Sequence, residues 1–204
     1  MTFEPDSGRF EANLSPGASV SKDRVVALIM EHSKKRGENY QIRFGEPTEK
    51  LAGKVASRAE AFALPTLGGK RYDLGTMIGQ RPIVLVFWAS WCAPCLKEAP
   101  HLVELHGRYA EQVEFVSVSI DAAEDHDKLR SVASELKLAY PVALDPDGEV
   151  LAKYASGTGI PLTFVIDRDG KVAYQHGNYE PGDEKALADA IQRTLGELGR
   201  DEER

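Results

Sequence analysis

The stretch "FWASWCAPCLKEAP", Phe87 to Pro100, holds both cysteines of a 204-residue chain, Cys92 and Cys95. Just before Cys92 runs "IVLVFWA", Ile83 to Ala89, a continuous apolar segment of the kind expected for a strand buried on both faces. From the first cysteine onward, "CAPCLKEAPHLVELHGRYAEQ" reads as a helix, with Pro94 suited to its first turn. Cys92 therefore falls where a buried strand hands over to a helix.

Three uses of the pair are open at this point. A structural bridge would close a loop so short that chain entropy gives about 2 kcal/mol before strain, a poor staple. A tetrahedral metal site needs four ligands, and Cys-x2-Cys supplies two. The five histidines, His32, His101, His106, His126 and His176, show no paired ligand spacing and read as exposed or partly packed side chains. Redox chemistry fits the local context. The free N–H groups and dipole of a helix start favour a thiolate at Cys92. Cys95, one turn further in, is placed to resolve a mixed disulfide formed on Cys92. A Cys-x2-Cys near a βαβ pattern carries that reading.

Strands and helices alternate around the motif. "EAFALPTLGGKRYDL" has two apolar stretches across Gly68-Gly69, a hairpin signal. After the Cys92 helix come a strand in "VEFVSVSID", a helix in "AEDHDKLRSVASELKL", a short strand in "YPVALD" and a short helix in "DGEVLAKYAS". "PLTFVIDRDGKVAYQHGNY" reads as two strands about the turn pair Asp169-Gly170, and "GDEKALADAIQRTLGEL" as the last helix. This order predicts an α/β fold: a mixed sheet with helices on both faces and an antiparallel edge from the last hairpin. Upstream, residues 1–20 are rich in Pro, Gly and Ser and read as a disordered tail. Residues 21–58 read as a small helical extension: a capped helix in "SKDRVVALIMEHSKKRG", a strand-like "NYQIRFG", and a helix begun by Pro47. The main domain is expected over 59–199, with a solvated tail over 200–204.

Composition narrows the function. Hydrophobic residues make up 42% of the chain and charged residues 28%, enough apolar material for a real core. A net charge of -7 argues against nucleic acid or anionic membrane surfaces as partners. Neither "IVLVFWA" nor "VVALIM" approaches the roughly 20 apolar residues of a spanning helix, so no transmembrane segment is expected. The first residues lack a signal-peptide pattern. The sequence as given thus predicts a cytoplasmic protein, with an extracytoplasmic or periplasmic location as the alternative if a leader has been removed. "LGGKRYDLG" lacks phosphate-loop spacing, and no metal, flavin or nucleotide cofactor is implied.

From about Ala59 to Leu198 the chain resembles the thioredoxin superfamily. "VLVFWASWCAPC" is similar to its active-site strand and loop, and "WCAPCLKEAP" to the TlpA/ResA-like branch of thiol–disulfide oxidoreductases. The resemblance implies a thioredoxin-like mixed sheet, with residues Asp121 to Tyr154 matching the TlpA-type central insertion. It also implies protein disulfides or dithiols as substrates, an upstream thiol reductant, and work mainly as a reductant. Carried over residue by residue, Cys92 is the nucleophile and Cys95 the resolving thiol. Pro100 matches the proline within the active-site helix. "GIPLTFVID" matches the cis-proline loop, so Pro161 is expected to be cis after Ile160, and Ile160 to offer its backbone to the substrate chain. Trp91 and Pro94 complete the expected substrate-binding surface. Glu98 matches the acid three positions after the second cysteine and is expected to handle protons. Val86 is a departure: minimal thioredoxins carry a buried Asp there, and relatives in this branch often have Asn.

Two other classes stand beside this reading. A peroxiredoxin-like thiol peroxidase places Thr or Ser three residues before its reactive cysteine, where this chain has Ala89. A non-enzymatic interaction module would use residues 21–58 for docking, against the simpler expectation that they cap a sheet edge.

Overall fold

A computed structural model describes residues 2–4, 9–11, 57–154 and 159–201. The chain divides into two compact units, Met1–Thr48 and Glu49–Arg204. In the first, β1 (Thr2–Glu4) and β2 (Arg9–Glu11) pair antiparallel, with Phe3 opposite Phe10. This pair lies inside the stretch expected to be disordered. The residues between the strands, Pro5-Asp6-Ser7-Gly8, are turn formers, and composition alone counts such residues toward disorder. The helix expected over 21–37 and the strand-like 39–45 lie outside the described residues.

In the second unit the first described residues run extended. Val172 donates its N–H to the Ser57 carbonyl and Ala59 to that of Gly170, and Arg58 bridges to Lys171. The helical extension therefore does not reach residue 58. Backbone groups at 57–59 bond to the turn of a distant hairpin, a pairing that helix-start signals near Pro47 do not encode.

The hairpin β3 (Ala63–Pro65) and β4 (Arg71–Asp73) follows, turning through Gly69 at φ +75°. Asp73 then caps a four-residue helix, α1 (Leu74–Met77), by accepting the Gly75 N–H. Sequence periodicity does not register so short a helix. The remaining elements are β5 (Ile83–Trp88), α2 (Ala93–Tyr109), β6 (Glu114–Ser119), α3 (His126–Glu135), β7 (Val142–Leu144), α4 (Glu149–Tyr154), β8 (Leu162–Ile166), β9 (Val172–Gly177) and α5 (Asp183–Asp201). The last helix enters the stretch expected to be a tail, by a margin within which helix ends commonly fray.

The main sheet runs β7-β6-β5-β8-β9, with β5, β6 and β7 parallel and β8 and β9 antiparallel to their neighbours. This is the expected mixed sheet. β5 lies at its centre and all six of its residues are buried. Ile83, Leu85 and Phe87 face a cluster with Phe62, Leu74, Tyr154 and Phe164. Val84 and Val86 face the other way, against Leu102 and Leu105 of α2 and Leu187 and Ile191 of α5. The edge strand β7 is covered by residues after β3, through the Thr66–Ala143 bridge and the Leu67 N–H to the Val142 carbonyl. α4 is held by a buried carboxylate, since Asp145 accepts the N–H groups of Val150 and Leu151.

Phe164 sits opposite Leu85, with ring centroids 5.3 Å from Tyr154 and 6.2 Å from Phe87. Replacing it with Ala leaves a cavity at the centre of the sheet. Phe164→Ala is expected to cost about 3–5 kcal/mol. Urea unfolding should show a lower midpoint at unchanged slope.

Candidate active site

β5 ends at Trp88, and the chain turns through Ala89, Ser90 and Trp91 to Cys92, which caps α2. Its φ and ψ of -86° and 99° are extended, as an N-cap requires. The Cys95 N–H donates to Cys92 Sγ at 3.2 Å. One of the unpaired donors of a helix start thus points at the sulfur. When Cys92 is reduced, the same donor and the helix dipole stabilise its thiolate. Pro94 in the first turn removes a donor that has no partner there and fixes the local backbone.

The two sulfurs form a disulfide. Cys92 is 5% and Cys95 3% exposed. Trp91 is 46% exposed, the large apolar side chain that stands out at the surface among the described residues. The Ile160–Pro161 peptide is cis, Ile160 is half-buried and Pro161 is buried. The Ile160 carbonyl oxygen lies 3.6 Å from Cys92 Sγ. The Asn178 N–H donates to the Pro161 carbonyl and ties this loop to the end of β9. Trp91 and Pro94 flank Cys92 in sequence, and the Ile160–Pro161 loop meets its sulfur through the Ile160 carbonyl. Pro100 lies inside α2, and its ring leaves the Leu96 carbonyl without its usual donor.

Glu98 is 2% exposed. Its Oε1 accepts the Thr163 hydroxyl at 2.8 Å and lies 2.9 Å from His176 Nε2. Sheet register explains the arrangement. Ser117 pairs with Val86, Val86 with Thr163, and Thr163 with His176, so the four form one row across β6, β5, β8 and β9. Glu98 descends from α2 onto that row. A cavity of about 10 Å³ lies between helix and sheet, lined by Cys95, Glu98, Val86, Trp88, Ser117 and Tyr140 among others. Burial, and then the Glu98 charge, push the Tyr140 hydroxyl well above its ordinary range.

A second carboxylate holds the loop. Asp121 is buried and accepts the Ser90 N–H at 2.9 Å, the Ser90 hydroxyl and the Ser119 hydroxyl at 2.7 Å. Ser119 Oγ in turn accepts the Asp121 N–H. The segment leading to Cys92 is pinned at Ser90 from the end of the neighbouring strand.

Sequence reasoning did not single out Asp121, Thr163 or His176. Asp121 carried a weak signal, a lone acid closing the apolar "VEFVSVSID". Thr163 was the one polar residue within "LTFVI". His176 had no local signal.

With this geometry in place, similarity to known proteins becomes informative. The model of the AhpC/TSA family matches residues 55–175. The chain belongs to the AhpC/TSA family. A thiol–disulfide oxidoreductase, ResA, of Bacillus thuringiensis (strain Al Hakam) is 33% identical over 153 residues, 74% of this chain and 84% of that protein. A Chlorobium tepidum structure described as a thiol:disulfide interchange protein DsbE superposes with a TM-score of 0.62 at 34% identity, covering 68% of this chain and 96% of that one. A Bacteroides thetaiotaomicron structure described as a protein disulfide isomerase gives 0.67 at 26% identity, covering 76% of this chain and all of that one. Within the AhpC/TSA family this chain is a thioredoxin-like thiol–disulfide oxidoreductase with a Cys92–Cys95 pair.

Asp121→Ala leaves the buried Ser90 donors without an acceptor. The variant should lose about 2 kcal/mol of stability, the scale of a lost hydrogen bond to a charged group. It should also slow disulfide exchange more than Asp121→Asn, which keeps an acceptor oxygen. Urea unfolding and reduction of a disulfide-linked model peptide measure the two effects.

Proposed function

We propose that this oxidoreductase works as a reductant of protein disulfides, with Cys92 as nucleophile, Cys95 as resolving thiol and Glu98 as proton acceptor. The observation that carries the assignment is the asymmetry of the pair. Cys92 Sγ receives a helix-start N–H and faces the Ile160 carbonyl, while Cys95 lies one turn deeper beside Glu98.

In the reducing direction the Cys92 thiolate attacks one sulfur of a substrate disulfide. That S–S bond breaks, a Cys92–substrate disulfide forms, and the first substrate thiolate leaves and takes a proton from solvent. Cys95 then passes its proton to the Glu98 carboxylate and attacks Cys92 Sγ. The mixed disulfide breaks, the Cys92–Cys95 disulfide forms and the second substrate thiolate leaves. Two electrons have passed to the substrate. An upstream dithiol of the same chemical class runs the steps backward on the enzyme and restores both thiols. Trp91 and Pro94 offer apolar contact to the incoming chain, and the Ile160 backbone offers hydrogen bonds next to the sulfur.

Ala89 weighs against the peroxidase alternative. It stands three residues before Cys92, is fully buried, and has no hydroxyl to present to a peroxide.

Cys95→Ser tests the assignment. The variant should accumulate mixed disulfides through Cys92, visible as thiol-sensitive adducts on non-reducing gels and identifiable by mass spectrometry. Cys92→Ser should accumulate far fewer. If Cys92 and Cys95 do not interconvert reversibly between dithiol and disulfide in any glutathione buffer, the reading fails.

A further inference from the structure

Glu98 is embedded between helix and sheet, and a lone ionised carboxylate in that position is costly. One of its oxygens is accounted for by Thr163 and His176. The other, Oε2, has no hydrogen-bond partner among the described residues, and the same holds for Trp88 Nε1 and Ser117 Oγ. All three residues line the small cavity that Cys95 also lines. Its 10 Å³ is at the lower limit for one water molecule. The carboxylate thus has one oxygen tied to the sheet, in a side chain that shares a cavity with Cys95.

His176 is the cationic candidate facing that carboxylate. Its side chain is 9% exposed, and its Nδ1 has no partner among the described residues. An imidazolium beside a buried carboxylate favours the charged carboxylate. The other ionisable groups around the pair come from every packed element. Tyr140 lines the cavity ahead of β7, and the Tyr174 ring lies tilted beside His176 on β9, with centroids 5.7 Å apart. Tyr179 follows β9, against His101 of α2 and bonded to Glu184 of α5, while Asp183 and Arg193 of α5 act on Tyr174. Burial first, with the Glu98 charge among the later causes, raises all three tyrosines above their ordinary range. None of them is anionic near neutrality, so none adds a negative charge beside the Glu98–His176 pair.

We propose that His176 is a positioning residue for disulfide exchange: it holds the Glu98 carboxylate in place and in charge balance, so that Glu98 takes the Cys95 proton directly or through one water in the cavity. The proton leaves Cys95 Sγ and arrives on Glu98. The Cys95 electron pair then forms the bond to Cys92 Sγ as the substrate thiolate departs. After turnover Glu98 returns the proton to solvent. The inference rests on the exchange reading above and adds to it the residue that sets when Cys95 can act.

The test is the reaction of the reduced full-length protein with Ellman's reagent, followed by stopped flow across pH. Attack by Cys92 releases one thionitrobenzoate, and attack by Cys95 on the resulting mixed disulfide releases a second. The first phase serves as an internal reference. His176→Phe keeps an aromatic ring and removes the charge and the donor. It should move the pH midpoint of the second phase upward by about one unit or more, the scale on which a lost neighbouring charge shifts a titration. Below that midpoint the second phase slows about tenfold. His176→Gln keeps a donor without a charge and should shift the same way, which also covers a folding defect in the Phe variant. In a Glu98→Gln background neither change should move the midpoint further. An unshifted midpoint in both single variants, or an equal shift in the Glu98→Gln background, would overturn the role of His176. Release of fewer than two equivalents by the wild-type protein would instead overturn the exchange reading itself.

Discussion

The interaction on which the site depends is the hydrogen bond from the Cys95 N–H to Cys92 Sγ. It makes one sulfur of the redox pair the cap of a helix. A helix start has N–H groups without partners, and Ser, Thr or Asp normally supply the acceptor. Here the acceptor is a sulfur whose charge changes during the reaction. The cap is strongest when the sulfur is a thiolate, so the fold stabilises the reactive form with a group it must satisfy anyway. The rest of the site preserves that geometry. β5, buried on both faces, fixes where the loop begins; Asp121 grips the loop at Ser90; and the cis Ile160–Pro161 segment closes over the sulfur.

Much of this was legible in the sequence because its causes are local. A continuous apolar run followed by a cysteine and a proline in a helix-forming context sets strand, turn and cap within about a dozen residues. The five strands of the main sheet and its mixed character followed from the same kind of evidence. The misses share a different cause. Ser90 and Asp121 are 31 residues apart, and Glu98 and His176 are 78 apart. Each contact depends on tertiary placement, sheet register in one case and a helix packed over a sheet row in the other, and one-dimensional spacing carries no record of either. The extended Ser57–Ala59 segment is the same case, since its partners lie in the β8–β9 turn.

Val86 shows how such a long-range solution replaces a local one. Minimal thioredoxins, which this chain resembles, place an acid at that position of the central strand. Here the strand offers a methyl-lined surface, and the carboxylate reaches the same space from the helix above. Thr163 and His176, successive partners of Val86 across the sheet, supply its hydrogen-bond partners. The polar groups stand one and two strands along the row from Val86, while the helix contributes the carboxylate.

That relocation changes the electrostatics as well as the geometry. A carboxylate on β5 would be flanked by strands whose backbone donors are already committed to the ladder. It would depend on chance neighbours for compensation. On α2, Glu98 is one turn from Cys95, so the acid and the thiol are carried by the same rigid element. The sheet row beneath then supplies a hydroxyl and an imidazole at fixed register. A buried carboxylate without such partners would sit protonated and could not accept a proton. One with every acceptor site on both oxygens occupied would have no free lone pair for a further proton. The arrangement here lies between these limits: one oxygen is bonded to the sheet, and the other has no hydrogen-bond partner among the described residues, in a side chain that lines a cavity shared with Cys95. That half-satisfied state fits the proton exchange proposed for Glu98, because one oxygen holds the side chain in place while the other keeps acceptor capacity.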